Sequence, residues 1–500
     1  MKKFYLMALC AAAFAFTGCE EKEQIPAPEQ EFLSYFGFEA KEGVFAEDVR
    51  VENPQASGVI SFVTPVGTDS EAYKALVPVF ETTNPDAVVT DADGKVLVSG
   101  ESFDFSKEVD IYVTVSNKGG ETSTMYTIKV EAKAALAWSK VAETEELAGA
   151  APSMAINPVD GCPYFVAKQD GDGYGIAYKY DGTLQPVAGT SPVFHAYKID
   201  KVGLGFDNSG EVYAAFRDYA ESAKAAEALV SVMKIGSTSS YVGNKWFTAY
   251  PNDICAIFPQ TSSNIWVAYQ LGTAVGSLSK RYLELAQWNG SAWSTEMAMT
   301  GRAGTDYAYY TKSVHANGVD YLFVYNQNSH SVSLYQLGDN GWTTVVEALK
   351  FNKADGTAGT ESMLNLRSLD CDVASNGDVY FMVGCQFISE TYNVAVVRYR
   401  PSDKSQTIVG GVTDKDIDDD RYFSMALDAY DIPYLAYRSA ADELMYVQYI
   451  DNKTKTWSQP VCISADKVNS ASPVIRFNED GKGYIAVRVE SKKIQVYSAK

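Results

Sequence analysis

Phe206-Asp207-Asn208-Ser209-Gly210-Glu211-Val212-Tyr213-Ala214-Ala215-Phe216-Arg217 is the stretch on which the fold turns. It reads as the end of one strand, a tight Asx-Gly turn, and a second strand opened by an aromatic residue. Related stretches recur through the last three quarters of the chain. Each has an aromatic followed by alternating apolar residues: Tyr164-Phe-Val-Ala-Lys168, Tyr213 to Arg217, Trp266-Val-Ala-Tyr-Gln270, Tyr321-Leu-Phe-Val-Tyr325, Tyr380-Phe-Met-Val-Gly384, Tyr434-Leu-Ala-Tyr-Arg438 and Tyr484-Ile-Ala-Val-Arg488.

The lead aromatics are 49 to 59 residues apart. A period of roughly 40–50 residues with four strands per unit marks a β-propeller blade, here lengthened by inserted loops. Asp160-Gly161, Asn208-Ser209-Gly210, Asn317-Gly318, Asn376-Gly377 and Asp480-Gly481 supply the tight turns between the first and second strands. The final unit stops after Ile494-Gln495-Val496-Tyr497 and lacks a last strand, whereas Trp138-Ser139-Lys140-Val141-Ala142 precedes the first unit. It matches the last strands opened by Trp293, Trp342 and Trp457. An open ring would leave two unpaired edges. The Trp138 segment is therefore expected to complete the last blade and close a seven-bladed ring over residues 135–500.

The mature chain is strongly acidic. The net charge is −21, and removal of residues 1–18 takes two lysines and no acid, leaving −23. Such a surface repels nucleic acid and anionic lipid, so no nucleic-acid partner is expected. Of seven cysteines, Cys162, Cys255, Cys371, Cys385 and Cys462 would remain in the body. Their number is odd and no C-x-x-C spacing occurs, which argues against a disulfide framework or zinc site. The Asn376-Gly377 turn places Cys371 opposite Met382, away from Cys385.

Lys2-Lys3, an apolar run from Phe4 to Phe16 and Phe16-Thr17-Gly18-Cys19 resemble a bacterial lipoprotein signal, in which Cys19 becomes the lipidated first residue. Glu20-Glu21-Lys22-Glu23 directly after it resembles the surface-export tag of Bacteroidetes lipoproteins. The resemblance implies an outer-membrane protein, lipid-anchored and facing the cell exterior. Residues 19–31, acidic and carrying Pro26 and Pro28, are expected to form an extended tether.

Residues 32–133 alternate in short runs, among them Val59-Ile60-Ser61-Phe62-Val63 and Val109-Asp110-Ile111-Tyr112-Val113, as a β-sandwich would. Phe36-Gly37-Phe38-Glu39-Ala40, Thr64-Pro65-Val66-Gly67-Thr68-Asp69 before Ala75-Leu76-Val77-Pro78, and Tyr126-Thr127-Ile128-Lys129-Val130 resemble an immunoglobulin-like repeat of Bacteroidetes surface lipoproteins. The resemblance implies a spacer module without chemistry. The chain as a whole is similar to surface lipoproteins that pair such a repeat with a propeller of unknown function.

Function is expected at the end of the ring where the longer connections gather, because loops on a rigid scaffold carry binding residues. Tyr197, Tyr250, Tyr309 and Tyr422 lie on these connections, with Phe194, His195 and Tyr219. Sugars present apolar C–H faces to rings and hydroxyls to polar groups, so these aromatics form either a glycan shelf or plugs at the loop bases. Lys168, Arg217, Arg438 and Arg488 close the second strand in four blades, with Gln270 and Tyr325 at the same position in two others. They serve either to bind carboxylates or sulfates bidentately or to form ion pairs between blades with the abundant Asp and Glu. Arginines on a propeller resemble those of sialidases. The nearest match to a sialidase Asp-box, Asp451-Asn-Lys-Thr-Lys-Thr-Trp457, lacks its Gly, and no catalytic nucleophile pair can be picked.

No phosphate loop, Gly-x-Ser-x-Gly or metal-ligand spacing is present, and no cofactor is expected. Asp414-Lys-Asp416-Ile-Asp418-Asp419-Asp420 has alternating carboxylates suited to calcium but lacks the Gly and distal Glu of a calcium loop, leaving a solvated acidic loop as the other reading. The reading is thus a non-enzymatic surface binder of an extracellular ligand, a glycan above others. A propeller hydrolase or lyase and a protein-interaction scaffold are the alternatives.

Overall fold

The structure, a computed structural model, describes residues 25–145, 148–220, 229–243, 251–274, 276–294, 307–326, 329, 331–338, 341–352, 369–389, 392–411, 413, 417, 422–469 and 473–499. Cys19, Tyr250, the carboxylates of residues 414–420 and the side chains of Tyr309 and Cys385 lie outside the described residues. The chain forms two compact units. One comprises the described residues up to Ala40 with Glu47–Phe62 and Ser70–Glu131; the other comprises Lys41–Ala46, Val63–Asp69 and the described residues from Ala132 onward.

In the first unit, one sheet orders its strands Val49–Glu52, Leu33–Phe38, Pro78–Thr82, and a second orders Val59–Thr64, Gly120–Ala132, Val109–Asn117, Val88–Asp91. The strands alternate as a half-buried strand must: Ile60, Phe62 and Thr64 point inward while Val59 and Val63 are exposed. Phe36 and Phe38 of one sheet meet Phe62 of the other, with ring centroids 6.2 and 4.8 Å apart, and Phe105 packs edge-on to both. Residues 25–31, the described part of the expected extended tether, run along the sandwich. Pro26, Glu29 and Glu31 accept hydrogen bonds at their carbonyl oxygens from Asn117 (3.1 Å), Thr122 (3.0 Å) and Thr124 (2.6 Å). Thr122 and Thr124, two residues apart, present both hydroxyls on one side of their strand.

The second unit is a β-propeller. Among its described residues are seven antiparallel sheets in chain order, and the first strand of each lies against the first strand of the next. These inner strands are Ser153–Ile156, Ile199–Phe206, Pro251–Thr261, Ala308–Ala316, Leu369–Val373, Phe423–Leu427 and Val474–Phe477; the last returns to the first. The sheets are numbered here as blades 1 to 7. The aromatic-led segments are the second strands, buried nearly throughout, as in Val212–Asp218. As expected, Trp138–Glu143 is the outer strand of the last blade: Trp138 lies opposite Ala499, Ser139 opposite Ser498 and Glu143 opposite Gln495. Lys493 Nζ reaches Glu143 at 2.9 Å, and hydrogen bonds from Lys493 and Lys140 hold the Glu143 carboxyl down at about 2.

The tight turns, expected from their Asx-Gly pairs to have two residues, vary in length. Asn317-Gly318 is a two-residue turn, with φ of 53° and 72°. The Asn376-Gly377 turn has three residues, closed by the Ala374 amide on the Asp378 carbonyl. Only its Gly377 takes positive φ, at 82°. The added residue shifts the pairing, so Cys371 faces Phe381 and not Met382. Asp207 shows why an Asx residue opens such a loop: one carboxylate oxygen accepts from the amides of Ser209 and Glu211, both at 3.0 Å. Cys162, Cys371 and Cys462 carry free thiols.

Candidate functional site at the axis and the loop-rich end

An inner strand bonds its second strand along one edge and leaves the other edge unpaired toward the ring axis. Pairing with the second strands aligns two layers of inner residues. Those opposite the lead aromatic or its structural equivalent are Ala155, Gly205, Phe258, Val314, Asp372, Ala426 and Arg476; two residues earlier come Ser153, Gly203, Ala256, Lys312, Asp370, Ser424 and Val474. Small residues fill both layers in blades 1, 2 and 6, and at Gly205 close approach leaves no room. A Cβ on Gly205 would lie 2.4 Å from Ile257 Cγ2 and 2.9 Å from the Ile257 carbonyl oxygen of the next blade. Charge is confined to blades 4, 5 and 7.

Side chains of one blade satisfy the free edge of the next. Asp370 accepts from the Met425 amide at 2.9 Å and the Ser424 hydroxyl at 2.6 Å, and Asp372 accepts from the Leu427 amide at 2.9 Å. The Ile475 amide donates to Ser424 Oγ at 3.2 Å. On the other side of the ring, Ser153 donates its hydroxyl to the Val202 carbonyl at 2.7 Å. Buried amides and carbonyls are thereby paired without a further strand.

Asp370 is the hub. Its side chain is fully buried, with Lys312 Nζ of blade 4 at 2.8 Å and Arg476 Nη1 of blade 7 at 3.9 Å. Burial pushes the Asp370 carboxyl up, but the Lys312 and Arg476 charges and hydrogen bonds from Lys312 and Ser424 outweigh it and hold it below the usual aspartate value. Asp372 goes the other way: burial raises it from 3.8 to about 6, against its backbone hydrogen bonds and the Arg476 charge.

A carboxyl raised by folding binds its proton more tightly in the native state than in the unfolded chain. Its contribution to stability is full below about pH 4 and is lost as pH rises through about 6. Asp428, also raised by burial, acts in the same direction. Asp372→Asn keeps an acceptor for the Leu427 amide. It is expected to flatten the fall in stability between pH 4 and pH 6, by on the order of 2 kcal/mol. Denaturant midpoints measured at pH 4, 5 and 6 on both proteins check this, and equal slopes would refute it.

The residues singled out from the sequence are placed as follows. Arg438 donates through Nε to the Val468 carbonyl at 3.2 Å and pairs with Glu443 at 2.5 Å, and its guanidinium lies 5.0 Å from the Tyr422 ring centroid. Arg488 donates through Nε to the Ala148 carbonyl at 2.7 Å. Val468 and Ala148 precede the inner strands of the following blades, so both arginines staple neighbouring blades. Their partners there are carbonyls, where carboxylates were the expected alternative. Arg217 is buried and bonds Asp200 in its own blade, Nε to Oδ1 at 2.6 Å. Gln270 and Tyr325 are almost fully buried. Lys168 stays half-buried, its Cε 3.2 Å from where a Gly173 Cβ would stand.

At the blade 1–2 junction the loop-rich end carries a built platform. His195 Nε2 lies 3.0 Å from Asp218 Oδ1, and Asp218 Oδ2 accepts from Ser231 and Tyr241, each at 2.9 Å. His195, Asp218 and Ser231 are buried, and the serine hydroxyl bonds the aspartate and not the imidazole. The arrangement is an anchor. Above it Tyr197 is 56% exposed, with its ring 5.5 Å from that of His195. The Ile199 amide bonds the Gly173 carbonyl at 2.8 Å, which brings the turn between Lys168 and half-buried Tyr174 against the segment carrying Lys198. Lys198 Nζ is 5.1 Å from the Tyr219 ring.

No family model matches this chain, and no curated protein is similar to it in sequence. Solved structures resemble it in fold. A polysaccharide lyase is 10% identical, with TM-score 0.41, covering 70% of this chain and 89% of its own. A Hadza microbial sialidase is 13% identical, with TM-score 0.40, covering 67% and 73%. The Dos1 propeller is 11% identical, with TM-score 0.41, covering 72% and 95%. Likenesses this weak carry no argument about what this chain binds or does.

Proposed function

We propose that the protein is an outer-membrane surface lipoprotein, anchored through Cys19, whose propeller binds an extracellular glycan at its loop-rich end. The observation that carries the binding reading is Tyr197. A large aromatic ring stands exposed beside a buried His195–Asp218–Ser231 anchor, and Lys168 and Lys198 flank Gly173 on the adjoining turn. A ring fixed from below is pre-organised to stack on the C–H face of a sugar, and the ammonium groups supply hydrogen-bond donors to hydroxyls. The lipoprotein-like leader and the sandwich module support a surface address, where such ligands are met.

A glycan array, with mass spectrometry of the incubated glycans, tests this. Binding without new products is expected. Tyr197→Ala should weaken it about tenfold, near 1.4 kcal/mol. Released sugars or new chain ends would instead place the protein among hydrolases or lyases. Silence in both assays would leave the interaction-scaffold reading.

A further inference from the structure

We propose that the axial wall of the ring, at Lys312 and Arg476, is a binding site for a carboxylate group of the kind carried by uronic acids. The site stands apart from the Tyr197 platform and does not rest on it. Lys312 belongs to blade 4, Asp370 to blade 5 and Arg476 to blade 7. Arg476 reaches past the inner strand of blade 6 to approach Asp370, and its Nη1 comes within 3.5 Å of the Met425 carbonyl on the way. Side chains from strands two blades apart meet only on the axial side, so this cluster faces the central channel.

Asp370 is saturated. One oxygen takes Lys312 at 2.8 Å and the Cys371 amide at 2.9 Å; the other takes Ser424 and Met425. The two cations are not saturated. An ammonium has three donors and a guanidinium five. Arg476 commits Nη1 to the Ile475 carbonyl at 2.6 Å, and Nε and Nη2 have no acceptor among the described residues. The Lys312 and Arg476 side chains are 28% and 19% exposed. The layer of Lys312 carries Ser153, Gly203, Ala256 and Val474 in blades 1, 2, 3 and 7, all small or short side chains. Asp372, in the adjacent layer, is occupied by the amides of Val373 and Leu427 at 2.9 Å each. When ionised it brings local charge back toward balance, so recognition rests on the uncommitted donors and not on net charge. Planar donors of Arg476 beside a point charge from Lys312 match the two oxygens of one carboxylate.

Calorimetric titration of the full chain with sodium glucuronate, glucose and sodium acetate tests the assignment. Saturable binding of glucuronate and none of glucose is expected. Acetate competing with glucuronate would show that the carboxylate alone is recognised; acetate failing to compete would show that the sugar acid is the ligand. Either supports the site. Arg476→Gln should weaken glucuronate at least tenfold while Arg476→Lys retains part of the affinity. Both variants should fold, since Lys312, Ser424 and Met425 still satisfy Asp370, and their melting curves check this. Glucuronate that fails to bind, glucose that binds as well, or unchanged affinity in folded Arg476→Gln would overturn the proposal. Glycan binding at Tyr197 should be unaffected by either Arg476 variant, so failure of one site is separable from failure of the other.

Discussion

Asp370→Ala is expected to destabilise the propeller by about 3–5 kcal/mol, the cost of removing one partner from a buried ionic network. The substitution has three separate consequences. The Met425 amide and Ser424 hydroxyl lose their acceptor in a site where Ser424 is fully buried, and an unsatisfied buried donor forfeits its desolvation energy. Lys312 loses its counter-charge, although its partial exposure lets water recover some of that loss. Blades 5 and 6 lose the hydrogen bonds joining their inner strands at that level. Asp370→Asn separates these terms, because it keeps an acceptor for Ser424 or Met425 and removes only the charge; it should fall between wild type and Asp370→Ala. Adding Lys312→Met to Asp370→Ala should recover part of the loss, since a shared network is non-additive. Chemical denaturation, with the propeller transition followed by tryptophan fluorescence, measures all three. A loss below 1 kcal/mol in Asp370→Ala would mean that the inner strands hold together without their carboxylate.

The architecture could be read ahead of the structure because its signals are local. Tyr213 with its alternating apolar followers is a complete strand pattern within a few residues, and repetition supplies the rest. Ring closure by Trp138 follows from one missing strand at the end of the chain and one spare at the start. The axial cluster has no such signature. Lys312, Asp370, Ser424 and Arg476 are 50 or more residues apart along the chain and meet because four inner strands share one axis. A faint signal did exist. Asp372 and Arg476 each stand eight residues before their lead aromatics, Tyr380 and Tyr484, where other blades place Ala426 or Gly205. A charge at a register that is uncharged in the other blades marks a position under a different demand. The arginines closing the second strands were visible but ambiguous, because whether Arg438 meets a ligand or the Val468 carbonyl depends on where the connection to the next blade runs. The docking of residues 25–31 was invisible for a related reason: its acceptors are backbone carbonyls, which leave no trace in composition.

Gly483→Val is expected to cost about 2–3 kcal/mol and to loosen the closure of the ring. Gly483 lies between Phe477 on the inner strand and Ala499, which in turn faces Trp138. A Cβ there would stand 2.7 Å from Trp138 Cη2 and 2.8 Å from Phe477 Cε1, whose rings pack edge-to-face with centroids 6.4 Å apart. The glycine is thus the floor over which two aromatics from opposite ends of the chain meet, and a branched side chain must displace at least one of them. Trp138 is the one expected to move. Its strand is the outermost of blade 7, bonded along one edge, whereas Phe477 is held by the inner ring. Displacement should free the backbone at Lys140, whose side chain is already exposed, from its pairing with Tyr497, so trypsin should cut there faster in the variant than in wild type. Trp138→Ala alone should lose packing but leave the backbone pairing to Val496 and Ala499 in place. Combining it with Gly483→Val should cost less than the sum of the two, because the clash disappears with the ring. Additive losses would mean that the valine is accommodated by a shift of Phe477, and the weak point of the closure would then lie in the inner ring and not in its outermost strand.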